Sequence, residues 1–482
     1  MRQDPTDRVA GTGRAVVGRV VAQGLLCLWG LLAAPASLPE GGPSGPASAG
    51  AIQLTLEEAV VLALERNRSF LDRRSDREVQ KFSLVVAEDR WTPKLNLRPF
   101  VSQDEADKKA GGGAEVNLRV PTGGTFNLRW DKVVSENFED SKSQALSYSQ
   151  PLLRGAWPEI DTASVRQARL DERIAILSFR KSAEDLIVSV SGAYRALISA
   201  IRRVEIAENS LRRAREQLVT ARTLIQAGRV AQRETVRSEV EIANREVSLT
   251  QAQNRLDTAN FALADILEFE GDIPIRPQVA LEVERREIVF EAAFEEALRS
   301  RPDFLQAQLQ AEIAEIGLTV ARNNLLPDLD LKLEWRRDSA GETDTAVRVD
   351  ASIPLDDLDR DLRQLQAHTA LRKAKRSVVE LRESIGIAVR EAIKDVEVRF
   401  RLTELARSAR ELAEESLMIE EQKFSQGLSS SFEVAESGDV LIRAEQAEVE
   451  AIIAYLDGLT RLDQVSGKTL ERWGIRLETE TP

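Results

Sequence analysis

Residues 57–97, EEAVVLALERNRSFLDRRSDREVQKFSLVVAEDRWTPKLNL, align without a gap with residues 291–331, EAAFEEALRSRPDFLQAQLQAEIAEIGLTVARNNLLPDLDL. Identities include Glu57/Glu291, Ala59/Ala293, Ala63/Ala297, Phe70/Phe304, Leu84/Leu318, Pro93/Pro327 and Leu95/Leu329. Thirteen of the 41 positions agree, where roughly 3 are expected from ordinary composition. Each copy reads as a helix that stops at a proline and passes into Leu-x-Leu alternation, a strand signature. Two amphipathic helices can agree by chance, but the shared order of helix, proline and strand argues for one unit written twice.

The sequence beyond each copy continues the match. One strand region ends in Gln150-Pro151-Leu152, the other in Ile353-Pro354-Leu355. A long helix is predicted next, over 159–225 and over 356–424; neither stretch contains proline and each has one glycine, Gly192 or Gly386. At about 1.5 Å per residue each is a rod roughly 100 Å long. The rods end at Gln226-Ala227-Gly228 and Ser425-Gln426-Gly427, glycine being the common left-handed helix stop. Returning helices are predicted over 232–268 and 431–465. The first repeat thus spans 50–268, with strands in 94–150. A linker at 269–289 carries Gly271, Pro274 and Pro277. The second repeat spans 290–470, with strands in 328–353, and a tail covers 471–482.

The rods carry a coiled-coil rhythm. Val204, Ala207, Leu211, Ala214, Leu218, Ala221 and Ile225 are spaced alternately by three and four, as are Leu371, Ala374, Val378, Leu381, Ile385 and Ala388. Such a period drives supercoiling against a partner helix. A second stripe, Val389, Val396 and Phe400, gives the later rod seams on two sides, as helices in a closed ring require.

The strand segments alternate about ten residues at a time: Leu95-Leu97, Val116-Leu118-Val120, Phe126-Leu128-Trp130, Leu146-Tyr148, Leu329-Leu331-Leu333-Trp335 and Val347-Val349-Ala351-Ile353. Polar, glycine-rich loops are predicted at 104–113, 134–142 and 337–345, and a tight turn at Pro121-Thr122-Gly123-Gly124. Two readings fit: a transmembrane β-barrel, with Trp91, Trp130 and Trp335 as interfacial girdles, or a small soluble sheet capping the helices. Four to six strands per chain fall short of the roughly 8 that a one-chain membrane barrel needs, and an open sheet edge cannot sit in lipid. Strands that span a membrane here must therefore be pooled among several chains.

Composition narrows the function classes. Of 482 residues, 30% are charged and 5% aromatic, a balance suited to long helices with narrow apolar seams. A net charge of −13 with both signs interspersed offers no phosphate-binding face, which argues against nucleic acid as a partner. Cys27 is the sole cysteine and His368 the sole histidine, leaving few routes to a metal site or a nucleophile–base pair. Neither an enzyme nor a cofactor is indicated. The N-terminus carries Arg2, Arg8, Arg14 and Arg19, an apolar run from Val20 to Leu32, and Ala34-Pro35-Ala36 and Ala47-Ser48-Ala49 as cleavage sites. It reads as a signal peptide and flexible leader over 1–49, with a buried helix as the alternative. Elsewhere no apolar run reaches 18 residues, so any span must be made by strands.

Over about 54–470 the chain resembles the TolC-like outer-membrane efflux and secretion proteins. The resemblance rests on Leu56-Glu57-Glu58-Ala59, on Ser149-Gln150-Pro151-Leu152-Leu153-Arg154-Gly155, on Ala193-Tyr194, on the two glycine turns and on the duplicated order. It implies a mainly α protein with a β-barrel portion: a homotrimeric channel in outer-membrane lipid, its coiled-coil hairpins projecting into the periplasm. It also implies a passive duct working with an inner-membrane transporter and a periplasmic adaptor, or membrane fusion protein. By the same resemblance the adaptor meets the hairpin tips, which fall on Gly228, Arg229, Val230, Gly427, Leu428 and Ser429. The glycines serve equally as plain helix stops. Acidic residues ringing the periplasmic entrance fall on Glu433 and Glu436, with Glu234 at the matching place in copy one. Ser430 to Glu433 also reads as a capping box.

In one respect the chain departs from the family. About 60 residues separate Pro93 from Pro151, against about 27 between Pro327 and Pro354. The excess, near 114–133, reads as an extra hairpin and puts the family's four strands per chain in doubt. The competing picture of the whole is a soluble or periplasmic coiled-coil scaffold, which explains the rods but not the leader or the duplicated strands. The sequence does not name the cargo.

Overall fold

A computed structural model describes residues 52–103, 108–135, 140–229, 231–271, 273–278 and 283–477. The expected signal peptide and leader, and the last five residues of the tail, lie outside the described residues. In chain order the elements are β1 (Ile52–Leu54), α1 (Leu56–Arg66), α2 (Arg68–Glu88), a 3-10 turn (Asp89–Trp91), β2 (Lys94–Gln103), β3 (Lys108–Arg119), β4 (Thr125–Ser135) and β5 (Ser141–Pro151). Then come α3 (Pro158–Asp161), α4 (Ala163–Gln226), α5 (Arg233–Ile266), β6 (Ile275–Pro277), α6 (Phe290–Ser300) and α7 (Pro302–Asn323). The chain ends with β7 (Asp328–Arg337), β8 (Thr343–Ser352), α8 (Leu358–Ser425), α9 (Ser431–Val465) and α10 (Thr469–Arg472).

The helix that opens each copy is broken into two. Asn67 and Arg301 sit in extended backbone, with ψ of 118° and 122°. Asn67 ends α1 and caps α2, its side chain accepting from the Phe70 N–H at 3.1 Å. In the second copy Pro302 opens α7, where its missing N–H costs no helix bond. The matched residues of the repeat do matched work. Ala63 and Ala297 are fully buried, which lets α1 and α6 approach the rods closely, and Phe70 and Phe304 are buried one turn into α2 and α7. Phe70 stacks on Phe179 of α4 at 4.9 Å. Tyr194 of α4 donates its buried hydroxyl to the Leu54 carbonyl at 2.8 Å, and Tyr455 of α9 does the same to Glu284 at 2.6 Å.

α4 and α5 form one hairpin and α8 and α9 the other, and α4 also packs on α9. The side-by-side order is therefore α5, α4, α9, α8. In the first seam Ala207, Leu211, Ala214 and Ala221 are buried, as are Ile385, Val389 and Val396 in the other rod.

Six strands form one antiparallel sheet in the order β2-β3-β4-β5-β7-β8. The first repeat gives four strands and the second two. Leu95, Val116, Leu128, Leu146 and Trp335 are registered neighbours, as are Leu118, Phe126, Tyr148, Leu333 and Val347. Side chains alternate across a sheet, so these rows share one face. The other face carries Arg98 paired with Glu115, and Lys332 paired with Asp350. The apolar face is uncovered: Leu97 is 70% exposed, Val101 75% and Val347 70%. A soluble sheet capping the helices would bury that face, whereas a barrel wall turns it to lipid. Among the described residues no helix is long and apolar enough to cross a membrane.

Two sequence expectations need correction here. The loop predicted over 104–113 ends too late, because Gly111, Gly112 and Gly113 lie inside β3. Phe100 lies over its registered partner Gly111, where a Cβ would stand 2.9 Å from the ring. Aromatic cover of this kind lets glycine persist in a strand. Trp91 is held at the foot of the sheet, its indole N–H donating to Asp161 at 2.9 Å, rather than standing beside Trp130 on the apolar face.

Candidate functional site

Both rods end in the same device. Gly228 and Gly427 have φ of +70° and +76°, a left-handed conformation that glycine adopts without steric cost. Gly228 N–H donates to Ile225 at 2.9 Å and Arg229 N–H to Leu224 at 2.9 Å. Gly427 N–H donates to Phe424 at 2.8 Å and Leu428 N–H to Lys423 at 2.9 Å. Each is a Schellman stop, in which the last free carbonyls of the helix receive their donors.

The two tips sit against each other. A Cβ on Gly427 would stand 3.8 Å from Cβ of Arg229. Behind them Ala221, Leu224, Ala413, Leu417, Phe424, Val434 and Leu441 form one buried cluster drawn from three helices. Arg229 is exposed, Leu428 is 73% exposed, and Phe432 stands nearby at 61%. Val230 lies outside the described residues.

Beyond the second tip the capping box is present. Ser430 N–H donates to Glu433 Oε2 at 2.8 Å, and Glu433 N–H donates to Ser430 Oγ at 3.4 Å. Ser429 Oγ bridges Glu433, at 2.8 Å, and Glu420. The Ser430 backbone, then Ser429 and the Ser430 hydroxyl, hold the Glu433 carboxyl below the usual glutamate range. Ser429 and Lys423 do the same for Glu420. Glu436 is exposed one turn further on.

Glu234 does not mirror Glu433. It is buried at the start of α5 and accepts from the Ser431 hydroxyl of α9. Gln217 of α4 donates to the Ser431 carbonyl at 3.1 Å. Glu234, Ser431 and Gln217 thus tie the two tips together. Sequence reasoning placed Glu234 by its offset alone; Ser431 and Gln217 lie 197 and 214 residues from their partners, and no local pattern marks them.

One sheet with an uncovered apolar face thus stands on paired helical rods about 100 Å long. The family profile described as outer membrane efflux protein matches residues 293–468, most of the second repeat. No curated protein is significantly similar to this chain in sequence. Solved structures share its fold. The CmeC outer-membrane channel of Campylobacter jejuni gives a TM-score of 0.67 at 13% identity, covering 91% of this chain and 94% of that one. VceC, an outer-membrane protein of Vibrio cholerae, gives 0.66 at 14%, with 86% and 96% covered. The open-state MtrE channel of Neisseria gonorrhoeae gives 0.66 at 16%, with 89% and 94% covered.

Proposed function

We propose that three copies of this chain form a passive channel carrying substrates from the periplasm, through the outer membrane, to the exterior. The observation that carries this reading is a pair of uncovered edges in the sheet and a matching pair in the helical part. In the sheet, β2 and β8 each leave one side of their backbone unpaired. In the helical part, the outermost helices α5 and α8 carry exposed apolar residues, among them Val236, Val240 and Val247 on one, and Val398, Leu402 and Leu405 on the other. An open sheet edge is not tolerated in lipid; a ring of copies satisfies both edges at once. The scaffold reading leaves the apolar face of the sheet in water and is disfavoured.

The tips are the surface for a periplasmic adaptor, which connects the channel to an inner-membrane transporter. Gly228 and Gly427 shape the turns, while Arg229, Leu428 and Ser429 present one charge, one apolar side chain and one hydroxyl. Glu436, exposed beside the tip, is the better candidate for an acidic ring at the entrance; Glu433 is committed to the helix cap. Detergent-purified protein should have the mass of a trimer and raise the conductance of planar bilayers. A stable monomer without conductance would refute the reading.

A further inference from the structure

The hairpin that copy one has in excess is part of the wall. Its strands, β3 and β4, are 12 and 11 residues long, close to the roughly 9–11 residues of a tilted membrane strand. All ten residues of β2 are in register with β3, and β3 with β4 over eleven. One apolar row runs from Leu95 of β2 through Val116, Leu128 and Leu146 to Trp335 of β7, and on the same face a second runs from Leu118 of β3 through Phe126, Tyr148 and Leu333 to Val347 of β8. The β3-β4 turn is held against the end of β5 and the loop that leads from it to α3. Gln150 Nε2 donates to the Thr122 carbonyl at 2.9 Å, and a Cβ on Gly123 would stand 2.1 Å from the Gly155 carbonyl oxygen. A hairpin held at its foot, in register along its length and apolar on the same face as its neighbours has no reason to fold away.

The edges are made to meet. β2 starts at the helical end with Lys94 and runs outward; β8 runs inward and finishes there with Ser352. Set beside one another in a ring, β8 of one copy and β2 of the next are antiparallel and of equal length. Resting on the trimeric reading above, we infer that β8 of each subunit pairs with β2 of the next and closes a barrel of 18 strands, six from each of three subunits. Four strands per chain would give only 12. With strands about 4.8 Å apart and tilted by about 40°, 18 strands enclose a backbone cylinder roughly 36 Å across, against roughly 24 Å for 12. The lumen is lined by the paired charges of the polar face, Arg98 with Glu115 and Lys332 with Asp350. The outlet is thus a wide, mixed-charge aqueous duct that accepts bulky polar cargo and selects little by size.

Paired cysteines test this in the full-length protein carrying Cys27→Ser. Asn96→Cys or Ser102→Cys on β2 is combined in turn with Ala346→Cys, Arg348→Cys and Asp350→Cys on β8. After mild oxidation, at least one combination should move most of the chain into dimer and trimer bands on a denaturing gel. Arg129→Cys on β4 with the same β8 partners should not. Cross-linking of β8 to β4 instead, in protein that is trimeric by mass, would overturn the 18-strand wall and leave the channel reading intact. So would a trimer with no β2-β8 cross-link. Protein that is not trimeric by mass would overturn both.

Discussion

Arg119, the last residue of β3, donates to Asp161 of α3 through Nε at 2.7 Å and Nη2 at 2.6 Å. The Asp161 side chain is fully buried and also accepts from Arg90 at 3.3 Å and Trp91 at 2.9 Å. One carboxylate therefore joins the end of the first helical arm, the foot of the sheet and the start of the rod. Removing one partner of a fully buried ion pair costs about 3–5 kcal/mol. Here both guanidiniums are partly exposed and can turn to water, so Asp161→Ala should cost about 2 kcal/mol. Asp161→Asn keeps an acceptor and should cost less. Thermal unfolding of the detergent-solubilised protein checks the order; an alanine variant as stable as the parent would remove the hub role.

Glu184 of α4 should set a pH dependence. Burial pushes its carboxyl up to about 7, against the opposing pull of Arg180. The folded chain then holds a proton that the unfolded chain has lost at any pH between about 4.5 and 7. Stability therefore falls as pH rises through that window, and the loss is complete above it. It amounts to on the order of 2–3 kcal/mol. Glu184→Gln should flatten the profile between pH 5 and 8 and raise the unfolding temperature at pH 8. A variant whose profile parallels the parent's would show that another group titrates there.

The long-range order of the chain is written in its local patterns. The rods are legible because an apolar period persists over many turns, and their ends because Gly228 and Gly427 stop them. The repeat is legible because Ala63 and Ala297 admit no larger side chain, and Phe70 and Phe304 fill equivalent pockets. The break at Arg301 was available in Pro302, a helix-opening residue. The break at Asn67 was less so, since asparagine caps only where the backbone already turns. β3 is hard to read because three glycines signal a loop locally, whereas each is in register with β2 and β4, and Phe100 covers Gly111 from across the hairpin. Asp161, Glu234 and Ser431 escaped because their partners come from other elements. Glu433 was legible as a cap because both halves of a capping box lie within four residues.

The glycine turns should tolerate little. A side chain at φ of +76° is strained, and the Cβ site of Gly427 is otherwise only in ordinary contact with Arg229. Gly427→Ala should therefore cost about 1 kcal/mol from backbone conformation alone. Gly427→Asn should cost less, because asparagine visits the left-handed region. Chemical unfolding monitored near the tip separates the two; equal losses would point to crowding rather than to φ.

Glu433 and Glu436 should separate by what they change. Glu433 is bound into the cap of α9, and its lowered pKa means that the stability it contributes is present above the ordinary glutamate range. That contribution is lost as pH falls through the lowered value. Glu433→Ala should thus lower the unfolding temperature at neutral pH and weaken its decline in acid. Glu436→Gln should leave unfolding unchanged and reduce the preference of the open channel for cations, read as a shift in reversal potential under a salt gradient. If Glu436→Gln leaves the reversal potential where it was, the acidic ring is not at this position.

Docking at the tips makes the strongest demand on the proposed function. Arg229 and Leu428 are exposed, lie on adjoining turns, and are not part of the buried cluster behind them. Replacing both, as Arg229→Glu with Leu428→Asp, reverses one charge and removes one apolar contact without touching Gly228, Gly427 or the Glu234–Ser431 tie. Such surface changes usually alter folding stability by no more than about 0.5 kcal/mol, so the trimer should form at normal yield and conduct in bilayers. Export in cells should be lost, because an adaptor that reads this surface loses its charge and its apolar contacts together. Loss of trimer in the variant would mean that the tips serve assembly. Normal export from an intact trimer would mean that the adaptor, if there is one, reads another surface.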